Sequence, residues 1–296
     1  MLPTPRMGFF RFEKAILAIV LLYIWGGLLA GCPLTLFGNS GQNTVNTPPP
    51  GGSSVNGLTG ALTADHNSAS AFGDLSDTAL AAVRISYQIF YGHTSHGSQI
   101  VTGMEMLAET DARYNFNAGS GTLGLEEISA DLGGVWDLPD QPWVTTTREV
   151  LNQADSDINL VMWSWCGGVS DNTEQGITAY LEAMNRLEND YPAVVFIYMT
   201  GHLDGTGPNG NLRTRNNQIR QYCQSHGKIL FDFADIESYD PDGNYHAWGS
   251  DWCEWCEDWC ATHSCPTCAE CAHSVCFNCY QKGRAFWWLL AQIAGE

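Results

Sequence analysis

A cluster of polar side chains between residues 93 and 98 has the residue types that nucleophilic catalysis requires. His93, Thr94, Ser95 and His96 follow one another directly, and Ser98 comes two positions later. A serine hydroxyl becomes an effective nucleophile when a nearby base takes its proton, and histidine changes protonation close to neutral pH. The segment is therefore a candidate catalytic turn. The alternative is a polar loop with helix-capping serines.

The stretches on either side of this turn predict where it lies in a fold. Residues 85–91 are rich in β-branched and aromatic side chains and predict a buried strand that ends at Gly92. Residues 100–107 have the apolar character of a helix. The turn is therefore expected at the carboxyl end of a sheet strand, where open α/β folds bind their ligands. There the backbone N–H of Ser95 would lie at a helix N-terminus, which suits an oxyanion site.

The rest of the chain alternates apolar strands with amphipathic helices. Residues 158–165, 193–200 and 228–233 are nearly continuous apolar runs, whereas residues 177–187, 212–225 and 285–293 have helical spacing. Continuous apolar strands joined by helices indicate a parallel sheet covered on both faces. The predicted fold is an α/β protein with a three-layer α/β/α sandwich.

The N-terminal segment has the pattern of an export signal. Three basic residues, Arg6, Arg11 and Lys14, precede an apolar run that ends in Leu-Ala-Gly-Cys at Cys32. This pattern resembles the lipobox of bacterial lipoproteins, which implies cleavage before Cys32, lipidation of that cysteine and a location in the bacterial cell envelope. An uncleaved anchor helix is the alternative, and both place the domain outside the cytoplasm with membrane contact through its anchor.

The composition of the chain divides it into three segments and excludes one class of partner. Residues 1–31 are assigned to the signal peptide, residues 32–74, which are rich in Gly, Ser and Pro, to a flexible tether, and residues 75–296 to the α/β domain. The formal net charge of −19 excludes nucleic acid as a partner, because binding phosphates requires Lys and Arg. No cofactor is expected.

A cysteine- and tryptophan-rich insert, residues 240–278, precedes the last predicted helix. Cys32 apart, the chain has ten cysteines, and an even number in an exported domain favours disulfides. The repeated Cys-x-x-Cys spacing leaves zinc or iron–sulfur ligation as the alternative. Cys166 and Cys223 lie on neighbouring predicted elements and are expected to pair with each other. The ten are Cys166, Cys223, Cys253, Cys256, Cys260, Cys265, Cys268, Cys271, Cys276 and Cys279.

The order of these motifs over residues 85–294 resembles the SGNH (GDSL-like) hydrolases, esterases with a flavodoxin-like fold. A strand ending in Gly-His-Thr-Ser opens the domain, a later strand ends in Cys-Gly-Gly, and Glu-Cys-Ala-His precedes the last helix. The resemblance implies that Ser95 is the nucleophile, His273 its base and Glu270 the acid that orients the base. It further implies that the N–H groups of Ser95 and Gly167 hold the oxyanion.

The residues also allow other sites and functions. Asp242 and His246 form a second candidate acid–base pair. A metal-dependent hydrolase is another hypothesis, because zinc-ligand types follow two strand ends. Its candidate ligands are His93, His96, His202 and Asp204. A third hypothesis is a non-catalytic surface binding protein on the same scaffold.

The favoured hypothesis is a lipid-anchored, extracytoplasmic serine hydrolase. Its expected substrate is a small ester, with an acylated carbohydrate as one candidate, because exposed tryptophans of the insert could line a sugar groove.

Overall fold

A six-stranded, all-parallel sheet forms the centre of the computed structural model, which describes residues 60–133 and 141–296. The strand order across the sheet is β1-β6-β5-β4-β2-β3. Every residue of β4 and β5 is buried, as expected for strands covered on both faces. The strands are β1 (Leu62–Ala64), β2 (Gln88–His93), β3 (Gly124–Ser129), β4 (Leu160–Trp163), β5 (Val195–Met199) and β6 (Ile229–Phe231).

The α-helices of the described residues pack in two groups. Helices α1, α2 and α3 all pack against α9, whereas α5 packs against α6. This is consistent with the predicted three-layer α/β/α arrangement. The helices are α1 (His66–Ala71), α2 (Asp77–Ser86), α3 (Ser95–Thr110), α4 (Pro142–Leu151), α5 (Glu174–Asp190), α6 (Asn211–Ser225), α7 (Phe233–Ser238), α8 (Glu254–Thr262) and α9 (Cys276–Ala294).

The strand order reverses its direction at β2. From β2 the chain first adds β3 on one side, and then β4, β5 and β6 follow in order on the other side. In doubly wound α/β sheets such a switch point leaves a crevice at the carboxyl ends of the strands, and ligands bind there. The predicted catalytic turn directly follows β2, so the topology places it at this crevice.

The prediction of a tether up to residue 74 is wrong for residues 60–74. Strand β1 pairs in parallel with β6, and both Ala64 and Phe72 are buried in the main core. Three residues are too short a strand for its alternation to stand out from the Gly- and Ser-rich sequence around it. The signal peptide, Cys32 and the rest of the predicted tether lie outside the described residues. No helix within the described ranges is long and apolar enough to span a membrane.

Three other predicted elements differ from the observed ones. Ile85 belongs to α2 and is 77% exposed, so the strand before the catalytic turn begins only at Gln88. Residues 108–157 contain no predicted strand, yet Gly124–Ser129 form the edge strand β3, whose exposed glutamates conceal its pattern. The last helix begins inside the predicted insert, at Cys276 rather than at residue 285.

Helices α3 and α9 approach each other closely at a pair of glycines. A Cβ on Gly103 would lie 2.0 Å from the Cys279 carbonyl oxygen, and one on Gly283 would lie 2.3 Å from the Gly103 carbonyl carbon. Both clashes are with backbone atoms, so no side-chain rotation can relieve them. Because α3 begins at Ser95 and α9 follows His273, this contact fixes how the two halves of the candidate site meet.

We predict that Gly283→Ala lowers the free energy of unfolding by about 1–3 kcal/mol, the usual cost of overpacking a core. Urea unfolding followed by tryptophan fluorescence measures the change. Gly73→Ala is the matched control, because a Cβ at Gly73 has no neighbour within 4 Å. Equal stabilities of the two variants would show that the helices do not depend on this close approach.

Candidate functional site

Ser95 and His273 meet at the carboxyl edge of the sheet, although 178 positions separate them. Ser95 is the first residue of α3, and His273 lies in the loop that leads into α9. Ser95 Oγ and His273 Nε2 are 2.9 Å apart. The predicted contact between these two side chains is therefore present, at the distance over which a histidine can take a serine proton.

The start of α3 presents free backbone donors at the same place. The Ser98 N–H donates to the Thr94 carbonyl, which closes the first helical turn. The N–H groups of Ser95 and of the two residues after it therefore have no acceptor within the helix. Thr94 is fixed by its hydroxyl, which donates to Asp131 Oδ2 at 2.5 Å. A helix N-terminus with free N–H groups favours negative charge, as an oxyanion site requires.

The second predicted oxyanion donor is already engaged. The Gly167 N–H donates to His202 Nε2 at 3.2 Å. Gly167 and Gly168 have φ values of 71° and 73°, a backbone region that favours glycine, and this turn aims the N–H at the histidine. Gly167 can serve an oxyanion only if His202 releases it.

Glu270 does not reach His273. The glutamate is exposed and forms no hydrogen bond or ion pair with any residue in the described ranges. Its neighbour Cys271 is tied to Cys279 on α9, and this arrangement leaves Glu270 in solvent. The structure therefore does not place Glu270 where it could orient His273.

The alternative pair of Asp242 and His246 is not formed either. His246 Nε2 lies 3.2 Å from Asp240 Oδ2, and the His246 ring stacks on Trp255. Asp242 is exposed, and its N–H donates to the Asp240 carboxylate. Asp240 thus organises a tight turn and takes the contact that was predicted for Asp242.

His96 lies at the centre of a stack of three imidazole rings. Its ring is parallel to His202, with centroids 3.6 Å apart and planes inclined by 2°, and to His273 on the other face, at 4.4 Å and 11°. Its Nε2 lies 2.9 Å from Asp251 Oδ2, and its Nδ1 lies 3.3 Å from Cys166 Sγ. Burial, together with the neighbouring His202, lowers the pKa of His96 to about 4, so the ring is neutral at neutral pH.

The predicted metal ligands are only partly brought together. His93 Nε2 contacts Glu127 at 2.8 Å, and the Asp204 carboxylate accepts hydrogen bonds from Thr206, so neither belongs to the cluster. His96, His202 and Asp251 do place ligand-type atoms within 4.8 Å of one another. The lone pairs of a ring lie in its own plane, however, so those of two stacked parallel rings do not converge on one ion. This arrangement does not fit a metal.

The cysteines of the insert form disulfides, as predicted, whereas Cys166 and Cys223 do not. Cys223 is buried on α6, and Cys166 faces the site, with Sγ 3.3 Å from Ser95 Oγ. The expected bridge between these two is therefore wrong. Four disulfides in the described residues indicate an oxidising compartment. They join Cys253 to Cys256, Cys260 to Cys265, Cys268 to Cys276 and Cys271 to Cys279.

Two side chains at the site, Cys166 and Asp251, were not predicted to lie there. Cys166 lies in the loop after β4, the strand that pairs in parallel with β2, and the shared edge where both strands end could have placed it near Ser95. Asp251 had no such signal, because it lies in an irregular part of the insert among several other acidic residues. Only the folded insert shows which carboxylate reaches His96.

Comparison with known proteins adds no family to these observations. No protein-family model matches the chain, and a search of curated proteins finds no significant similarity.

We predict that the two described free thiols differ sharply in reactivity. Cys166 is half-buried at the open site, whereas Cys223 is 1% exposed, and burial raises the pKa of its thiol. In a chain carrying Cys32→Ser, iodoacetamide should modify one thiol under native conditions and two after denaturation without reductant.

Cys166→Ser is the control, because it should remove only the thiol that reacts in the native protein. Modification of Cys223 before denaturation, or a Cys166 that resists the reagent, would contradict the placement of these residues.

Proposed function

We propose that this chain is an extracytoplasmic serine hydrolase that cleaves esters. The observation that supports this function best is the 2.9 Å contact between Ser95 Oγ and His273 Nε2 at the switch point of the sheet. A polar crevice, a helix N-terminus beside the hydroxyl and a base within reach are the parts that acyl transfer requires. The resemblance to SGNH hydrolases supports the same function, since the order of strands β2 to β6 is flavodoxin-like.

The proposed mechanism uses Ser95 and His273 in two steps. His273 Nε2 takes the Ser95 hydroxyl proton while Oγ attacks the ester carbonyl carbon, and the carbonyl oxygen gains negative charge near the α3 N-terminus. His273 then gives the proton to the alcohol oxygen as the carbon–oxygen bond breaks, which leaves an acyl group on Ser95. Water repeats the sequence, with its proton passing through His273, and releases a carboxylic acid and free Ser95.

The cleft beside Ser95 favours neutral substrates with polar groups. It is open, with a volume of about 470 Å³, and four hydroxyl side chains and one carboxylate are among the groups that line it. Glu127 and the acidic charge of the whole chain disfavour anionic substrates. An acyl ester of a carbohydrate meets these conditions. The lining residues are His93, Thr94, Ser95, Ser98, Glu127, Ile128 and Ser129.

The lipid anchor and the envelope location belong to this proposal as well. They rest on the basic and apolar N-terminal sequence that ends at Cys32, and on the oxidising compartment that the disulfides indicate. The enzyme would then act on esters near a membrane surface.

We predict that an alkyl fluorophosphonate modifies Ser95 and no other residue. Such probes report a serine made nucleophilic by an adjacent base, so Ser95→Ala and His273→Ala should both abolish labelling. Mass spectrometry of the labelled peptide locates the adduct. A metal-dependent hydrolase or a non-catalytic binding protein should not react.

Ser225→Ala is the control for this experiment, because Ser225 is an exposed serine at the end of α6. It should label as fast as the unchanged chain. Absence of an adduct on the folded, unchanged chain would rule out the serine hydrolase.

We also predict that 4-nitrophenyl acetate is hydrolysed with a kcat/KM several-fold above that of the anionic 4-nitrophenyl hemisuccinate. Repulsion from Glu127 is the cause, so Glu127→Gln should narrow the difference, and so should raised ionic strength. Colorimetric release of nitrophenol measures both esters. Equal values for the two esters in the unchanged chain would show that the acidic wall does not select substrates.

A further inference from the structure

His273 lacks the carboxylate that normally orients a catalytic histidine. Its Nε2 faces Ser95, and no carboxylate within the described ranges forms an ion pair with its ring. A histidine base that becomes positively charged during the reaction needs a group that holds its ring in place and offsets that charge. The surroundings of His273 therefore have to supply both effects in another way.

The ring of His96 covers one face of the His273 ring. The two centroids are 4.4 Å apart and the planes are inclined by 11°, so the contact is a parallel stack. His96 is only 7% exposed, and His202 covers its other face at 3.6 Å. His273 is therefore supported by a ring that has little freedom to move.

Each nitrogen of the His96 ring has a hydrogen-bond partner, and the chemistry of the partners assigns the donor and the acceptor. The Asp251 carboxylate can only accept, so the His96 Nε2–H donates to it at 2.9 Å. In the neutral ring Nδ1 is then an acceptor, and the Cys166 thiol, 3.3 Å away, can donate to it. These two contacts fix the tautomer and the rotation of the ring together.

We propose that Asp251, acting through the stacked ring of His96, takes the part of the third member of the catalytic triad. This inference rests on the proposed hydrolase function and assigns positioning roles to Asp251 and His96. The carboxylate draws the Nε2–H of His96 and increases the electron density of the ring. The face of that ring then stabilises the imidazolium that His273 becomes, as an aromatic face stabilises a cation.

The proton balance of the reaction is unchanged by this arrangement. The proton moves from Ser95 Oγ to His273 Nε2 and from there to the leaving oxygen, while His96 and Asp251 neither gain nor lose one. The low pKa of His96 supports this division, because the ring stays neutral while His273 becomes charged. Two adjacent stacked imidazolium rings would repel each other.

The test is a double-mutant cycle with Asp251→Asn and His96→Phe in the full chain, with 4-nitrophenyl acetate as the substrate. Phe keeps a flat ring over His273 and removes the link to Asp251. Each variant should lower kcat by about tenfold with KM unchanged, since the contact acts on the transition state and does not touch the substrate. The double variant should lose no more than either single one, because both act along one path.

Asp240→Asn is the matched control, since it removes a carboxylate from another histidine, His246, in the same insert. It should leave kcat and KM unchanged. Folding is checked by circular dichroism and thermal melting, and if Asp251→Asn unfolds, His96→Phe carries the same comparison. Unfolding of both would assign the pair to stability and overturn the proposal.

Unchanged kcat in folded variants would also overturn it, as would a KM change with constant kcat. Failure of the hydrolase function itself is distinguishable, because the unchanged chain would then neither cleave the ester nor acquire a fluorophosphonate on Ser95.

Discussion

A fully buried ion pair between Lys282 and Glu237 holds the site together. Lys282 Nζ contacts Glu237 Oε1 at 2.7 Å, and both side chains have no exposed surface. Glu237 also accepts the Leu203 N–H, at 2.7 Å. Lys282 donates to Gln99, whose amide donates to the Ala272 carbonyl at 2.5 Å. Leu203 and Ala272 each adjoin a histidine of the ring stack, so one pair fixes both loops that carry those rings.

Such a pair is a constraint on geometry more than a source of stability. Burial lowers the pKa of Lys282, and Glu237 opposes that shift. Removing one partner would leave an uncompensated buried charge, which typically costs several kcal/mol. The loops of Leu203 and Ala272 are therefore held in the positions that keep Lys282 and Glu237 paired. This constraint combines with the glycine contact between α3 and α9, which sets the distance from Ser95 to the start of α9.

The insert contributes reactive groups to this framework without a large core of its own. Its two small apolar clusters are built mostly from cysteines and aromatic rings. Disulfides compensate for such a limited core by restricting the unfolded chain. The insert can thus carry Asp251 and the loop of His273 to the sheet edge as ordered parts.

The sequence predicted the parts of the fold and site that local patterns encode. Continuous apolar runs identified β4 and β5, and the strand–turn–helix pattern placed Ser95 where it lies. The short β1 and the half-exposed β3 were missed, because neither buries enough residues to leave a pattern.

The error over Glu270 has a different physical origin. The resemblance to SGNH hydrolases implied that it orients His273, but the direction of a side chain in a disulfide-bonded loop depends on which cysteines pair. The contact of Asp251 with His96 spans 155 positions, and its direction is likewise set only by tertiary structure. Residue types and spacing therefore could not predict the long-range contacts that this irregular insert makes with the rest of the chain.

The most direct test of the account is a crystal structure of the chain after reaction with a fluorophosphonate. We expect a phosphorus atom bonded to Ser95 Oγ and a phosphoryl oxygen facing the N–H groups at the start of α3. His273 Nε2 should lie within hydrogen-bond distance of the adduct, with its ring stacked on His96. An adduct on Cys166, or a His273 ring turned away from Ser95 and unstacked from His96, would contradict it.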